Sequence, residues 1–168
     1  MFKRKGASRS KMKISAVVNN LGPSQMAFYL IKEFNKLSKD TKNSCSVFTE
    51  LSGVFVTRPL FSCYSIAFFP EYDGTSICTT IQEAKAVLAT SNSAKKYLYL
   101  WDLDWTQKPV NHKEYCDIML NDRLEIIARS DSHAKCIENF CNRTPIGIID
   151  NWNHKSLLKM LGEQNEQN

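Results

Sequence analysis

Residues 14–37 read ISAVVNNLGPSQMAFYLIKEFNKL, and this stretch decides the fold. Residues 14–18 (ISAVV) form a short, nearly continuous run of small and β-branched apolar residues. That is the pattern of a strand buried on both faces. Residues 19–24 (NNLGPS) make a turn, in which Pro23 and Ser24 suit the start of a helix. Ala27, Leu30, Ile31, Phe34 and Leu37 then recur at i, i+3 and i+4, the apolar stripe of an amphipathic helix. A buried strand, a tight turn and an amphipathic helix together open a parallel sheet covered by helices.

The same alternation recurs downstream. Residues 44–48 (SCSVF), 76–79 (SICT), 95–101 (KKYLYLW), 124–128 (LEIIA) and 146–149 (IGII) read as strands. Between 51 and 72 the pattern is ambiguous: 54–56 is a strand candidate, and 61–69 reads as a strand or a buried helix ended by Pro70. Thr80 with Glu83 forms a capping box that opens a helix through Leu88. A helix is expected over 112–120. Another starts at Ser130 or Asp131 and runs to Phe140 or Cys141, and a last one is capped by Asn153 and runs to Leu161. The expected architecture is a single α/β domain, a Rossmann-like, mostly parallel sheet with helices on both faces. It spans 12–161, between a basic disordered tail at 1–11 and a polar frayed tail at 162–168.

Charge is unevenly placed. The chain has 168 residues, 22 of them Lys or Arg and 17 Asp or Glu. Lys3, Arg4, Lys5, Arg9, Lys11 and Lys13 crowd the start with no acid among them, so the body is near neutral. That balance gives no support to a nucleic-acid-binding field over the whole domain. The tail reads as a solvated terminus or as a phosphate-binding arm for nucleic acid or an acidic partner. No apolar run approaches the roughly 20 residues of a membrane span, and no signal-type apolar core follows the basic start. The expectation is a cytoplasmic protein without membrane contact. The six cysteines form no C-x-x-C pair and no zinc-type spacing with His112, His133 or His154. They are expected to be buried free thiols.

Ligands in parallel sheets bind outside the carboxyl ends of the strands. That rule selects 19–25, 79–81, 102–106 and 129–133, with 150–153 beside them. In the first segment Asn20, Gly22, Ser24 and Gln25 offer a turn, close backbone approach and side-chain donors at a helix start that attracts anions. The alternative there is a well-capped turn. In WDLDWT, Asp102 and Asp104 point the same way from an extended strand end. Paired carboxylates need a cation such as magnesium, or shared hydrogen-bond donors. The alternative is that Trp101 and Trp105 pack while the two acids cap a turn. In the segment after LEIIA, Arg129, Ser130, Ser132 and His133 crowd a helix start and could hold a sugar or phosphate, with His133 as a base near neutral pH. The alternative is a cap with an exposed histidine. Asn151 lies in the last segment, where Trp152 is expected to close the core.

WDLDWT also resembles the first motif of haloacid-dehalogenase-type phosphatases. That resemblance implies Asp102 as nucleophile, Asp104 as acid/base and a magnesium ion, with Ser130 and Asp150 placed like later motifs. The longer run LEIIARSDSHAKCIENFCNRTPIGIIDNWN, residues 124–153, resembles the close of the N-terminal Rossmann-like half of GT-B glycosyltransferases. There Ser130 holds the serine position, and residues 145–151 hold the following strand and asparagine. The strand and helix around Gly22 resemble the acceptor-side loop of that domain. NNLGPSQM, WDLDW and RSDSHAK together look like a small family encoded by large contractile-tailed phages, a resemblance that covers most of 12–161. The implied ligand is a nucleotide sugar or glycan, and the implied partner is a second copy, as a homodimer, or another chain that completes a cleft. The E-x7-E donor motif of many retaining members has no counterpart in this sequence. The non-enzymatic alternative is an interaction or structural module that uses the basic arm.

Overall fold

A computed structural model of the chain describes residues 12–40, 43–51, 53–90, 92 and 94–165, so the basic tail at 1–11 and the last residues of the polar tail lie outside it. Strands β1 (Met12–Val18), β2 (Asn43–Thr49), β3 (Ser62–Ser65), β4 (Thr75–Cys78), β5 (Lys96–Tyr99), β6 (Glu125–Ala128) and β7 (Gly147–Ile148) form one sheet in the order β3-β2-β1-β4-β5-β6-β7. Every pairing is parallel. The helices are α1 (Gln25–Ser38), α2 (Ile81–Ala89), α3 (His112–Met119), α4 (Asp131–Cys141) and α5 (His154–Asn165). The last continues past Leu161, where the sequence pattern placed its end.

The ISAVV run is buried on both faces because β1 is central. Ile14, Ala16 and Val18 pack with Leu30, Ile31 and Phe34 of α1 and with Leu157 and Leu161 of α5. Val17 faces the opposite layer, with Ala84 of α2, Met119 of α3 and Ile137 of α4. Helices thus cover both faces, as the continuous apolar strands require. Local chemistry sets the helix starts. Ser24, Thr80, Asn111 and Ser130 each accept a backbone N–H in the first turn, and Glu83 completes the capping box expected from sequence.

Three segments depart from the sequence pattern. Residues 54–56 are not a strand, and Val54 is 79% exposed. The ambiguous 61–69 stretch divides into β3 and a 3₁₀ turn, Ile66–Glu71, which contains Pro70. The strand expected at 95–101 is only four residues long, so Trp101 and Asp102 lie in the bend beyond β5. Of the cysteines, Cys45, Cys78 and Cys141 are buried, Cys63 and Cys116 partly so, and Cys136 is exposed; all six are free thiols. Among the described residues no helix is long and apolar enough to cross a membrane.

The strand order places the site. The chain steps outward from β1 to β2 and β3, then returns to β4 on the other side of β1. The loops after β1 and β4 therefore diverge and open a crevice at the strand carboxyl ends.

Candidate functional site at the carboxyl ends of the strands

The crevice between β1 and β4 is a cleft of about 220 Å³. Ser24 at the start of α1, Thr79 and Thr80 after β4, and Trp101, Asp102 and Asp104 after β5 line it. Thr79 is buried, and its backbone N–H and hydroxyl both donate to the Glu83 carboxylate, at 2.9 and 2.8 Å. The Thr80 N–H donates to the same oxygen at 2.9 Å, so Glu83 fixes this wall from below. Burial raises the Glu83 carboxyl above its usual range, and these donors only partly counter it.

The two acids after β5 differ. Asp102 is exposed at the mouth. Asp104 opens a 3₁₀ turn, accepts the Tyr115 hydroxyl at 2.9 Å and lies 3.5 Å from the Lys108 ammonium. Burial, with the adjacent Asp104 carboxylate, pushes the Tyr115 phenol up to about 12, so it is a hydrogen-bond donor at neutral pH. Trp105 completes this wall, with its ring stacked on Phe140 at 4.2 Å between centroids.

Arg129 ties the rim together. Its guanidinium lies 3.8 Å over the Trp101 ring, a cation–π stack. It donates to Gln25 Oε1 at 3.3 Å and to Asn151 Oδ1 at 3.2 Å. Asn151 and Trp152 both have positive φ, 46° and 60°. Two consecutive non-glycine residues in that region are held only because the surroundings fix them. Trp152 is 1% exposed and packs edge-on to Tyr99 and Phe34, in the core as its sequence context suggests.

At the start of α4, Ser130 Oγ accepts the His133 N–H at 3.3 Å and lies 2.9 Å from Ser132 Oγ, so these hydroxyls cap the helix. His133 is half-buried, not the exposed histidine of the capped-helix alternative, and its Nδ1 is buried without a hydrogen-bond partner. Burial lowers the imidazole's pKa and the Arg129 cation adds to this, while Asp102 and the Leu100 backbone oppose it. These surroundings favour the neutral form of the ring.

A second, larger cleft of about 610 Å³ lies across the β1–α1 turn and takes in Asn20 and Gly22. The candidate residues are therefore divided. Ser24, Asp102 and Asp104 share the crevice, Gln25, Arg129 and Asn151 share its rim, Ser130, Ser132 and His133 cap α4, and Asn20 and Gly22 belong to the second cleft. Among the described residues no group of three or more His, Cys, Asp or Glu side chains is placed to hold a metal ion.

No family model, curated protein or solved structure matches this chain.

Thr79 and Tyr115 are lining residues that no motif marks. Thr79 was legible only as a strand end, and Tyr115 only as one residue of a helix pattern, because their place in the cleft depends on which loops adjoin.

Proposed function

We propose that this chain binds a glycan or another hydroxyl-rich acceptor in the β1–β4 crevice, as the acceptor-side half of a glycosyl-transfer system. The observation that carries this reading is the composition of the crevice wall. Two carboxylates, the hydroxyls of Ser24, Thr79, Thr80 and Tyr115 and the side chains of Trp101 and Trp105 line it together, and none of the described lining residues is Lys or Arg. Carboxylates accept only, so they suit a ligand rich in hydroxyl donors. The indole surface left open on Trp105, whose other side stacks on Phe140, gives apolar contact to sugar C–H groups. A phosphate would meet two carboxylates, Asp102 and Asp104, with Lys108 already paired to Asp104. The volume is about seven times one water's share of the liquid, the scale of one monosaccharide unit. Asp102, exposed at the mouth, is the acceptor for a ligand hydroxyl, and Asp104 is held for the same task by Tyr115 and Lys108. The nucleotide-sugar donor would be held by a second copy or another chain. Six free thiols fit a reducing cytoplasm, that of a host cell if the chain is phage-encoded.

The test is calorimetric titration of the purified chain with a panel of neutral mono- and disaccharides. At least one saccharide is expected to bind, and Asp102→Asn is expected to weaken it about tenfold, the size of a lost hydrogen bond to a charged group. A panel without binding would remove the reading. The two carboxylates on one cleft also favour a second reading, a magnesium-dependent phosphatase with Asp102 as nucleophile. Magnesium-dependent phosphate release that disappears in Asp102→Asn would select it.

A further inference from the structure

The crevice leaves the larger cleft unused. That cleft lies over the carboxyl ends of β1, β2 and β3, with a volume of about 610 Å³. Its walls are two loops tied to each other. The Leu51 N–H donates to the Asn19 carbonyl and the Val56 N–H to the Leu21 carbonyl, both at 3.0 Å. Asn20 Oδ1 accepts the Gly22 N–H at 2.9 Å and tightens the turn between them. Asn35 of α1 anchors the rest of the β2–β3 segment, donating to the Arg58 carbonyl at 2.9 Å and accepting the Leu60 N–H at 2.6 Å. These bonds hold the described parts of the two walls against each other.

Its chemistry is distinctive. Glu50, just after β2, is exposed and is the only acidic or basic side chain among the described lining residues. Around it Leu51, Val54, Phe55 and Tyr64 are 59%, 79%, 44% and 47% exposed. Clustered exposed apolar side chains beside a few polar groups mark a ligand site.

We infer that this cleft binds a ribonucleoside, with the base against Phe55 and Tyr64 and the ribose diol on the Glu50 carboxylate. The volume falls in the range of small-molecule sites, roughly 300–1,000 Å³. A carboxylate has no donors, so its partner must supply them, and two adjacent hydroxyls match its two oxygens. A flat base buries apolar faces against aromatic side chains. A lone monosaccharide would leave the apolar rim wet, an alkyl chain would make no use of Glu50, and a phosphate would find no cation among the described lining residues. The inference stands apart from the saccharide reading of the neighbouring crevice.

The experiment is titration of the full chain with adenosine, guanosine, cytidine and uridine, each beside its 2′-deoxy counterpart, with sedimentation of the free protein in parallel. At least one ribonucleoside is expected to bind, about tenfold more tightly than its deoxy form. Glu50→Gln is expected to erase that preference, and Tyr64→Ala to weaken ribo and deoxy forms alike. Asp102→Asn is expected to leave nucleoside affinity unchanged, which separates this cleft from the crevice. The inference is overturned if no ribonucleoside binds at millimolar concentration, or if the preference survives in Glu50→Gln. It is equally overturned if the chain sediments as a dimer and Tyr64→Ala dissociates that dimer without changing nucleoside binding, since the rim is then a protein interface.

Discussion

Glu33 is 5% exposed on α1, yet it gathers three donors. Lys36 Nζ donates at 2.6 Å and the His154 backbone N–H at 3.2 Å, and His154 Nδ1 lies at 2.6 Å. Burial alone would raise this carboxyl, but the bonds from Lys36 and His154 outweigh it and hold it below its ordinary value. A carboxyl depressed in the folded state adds stability that is fully present above its unfolded value, about 4.3, and is lost as pH falls through the lower folded value. Glu33→Gln is therefore expected to lower the urea midpoint between about pH 7 and 5, and the gap to wild type should close below about pH 4. A gap independent of pH would show that Glu33 acts by shape alone. The Lys36 contact could be read from the i, i+3 spacing. The His154 contact could not, because the two residues are 121 positions apart.

At the scale of elements, caps and periodicity were legible and crossovers were not. Ser130 was a candidate both for ligand binding and for capping α4, and its hydroxyl accepts the His133 N–H. Ser130→Ala is expected to cost about 1 kcal/mol of stability, the usual loss of a serine cap, and to leave saccharide affinity unchanged. Denaturant unfolding and calorimetry of the one variant check both halves. A Ser130→Ala protein of full stability that no longer binds saccharide would move Ser130 into the site. The failure at 54–56 has a topological cause. β2 and β3 are parallel neighbours, so the chain must travel back along the sheet between them. Val56 is spent on that return, packed on the α1 layer, and residues 62–65 become the edge strand. Local β-propensity in 54–56 could not reveal that a crossover was needed there.

At the scale of the molecule, Phe34 joins parts that are distant in sequence. Its ring meets Phe61, before β3, and Trp152, after β7, each edge-on at 5.7 Å. Phe34→Ala is expected to cost about 3–5 kcal/mol, and far- and near-ultraviolet circular dichroism should still lose signal together in urea, because one sheet carries both core layers. Separate transitions would show that the two layers unfold independently. Tyr99 works over a similar span, its hydroxyl donating to the Ile149 carbonyl at 2.5 Å to hold the end of β7. By itself the sequence determined the α/β class, the buried parallel strands, the helix starts and the segments at the strand ends. These follow from apolar period and from side chains that bond within a few positions of themselves. Only the tertiary structure decided that Ser24, Thr79 and Asp102 share one crevice while Asn20 and Gly22 face another. Strand order fixes which loops adjoin, and it arises from packing between residues far apart in the chain, which no local pattern records.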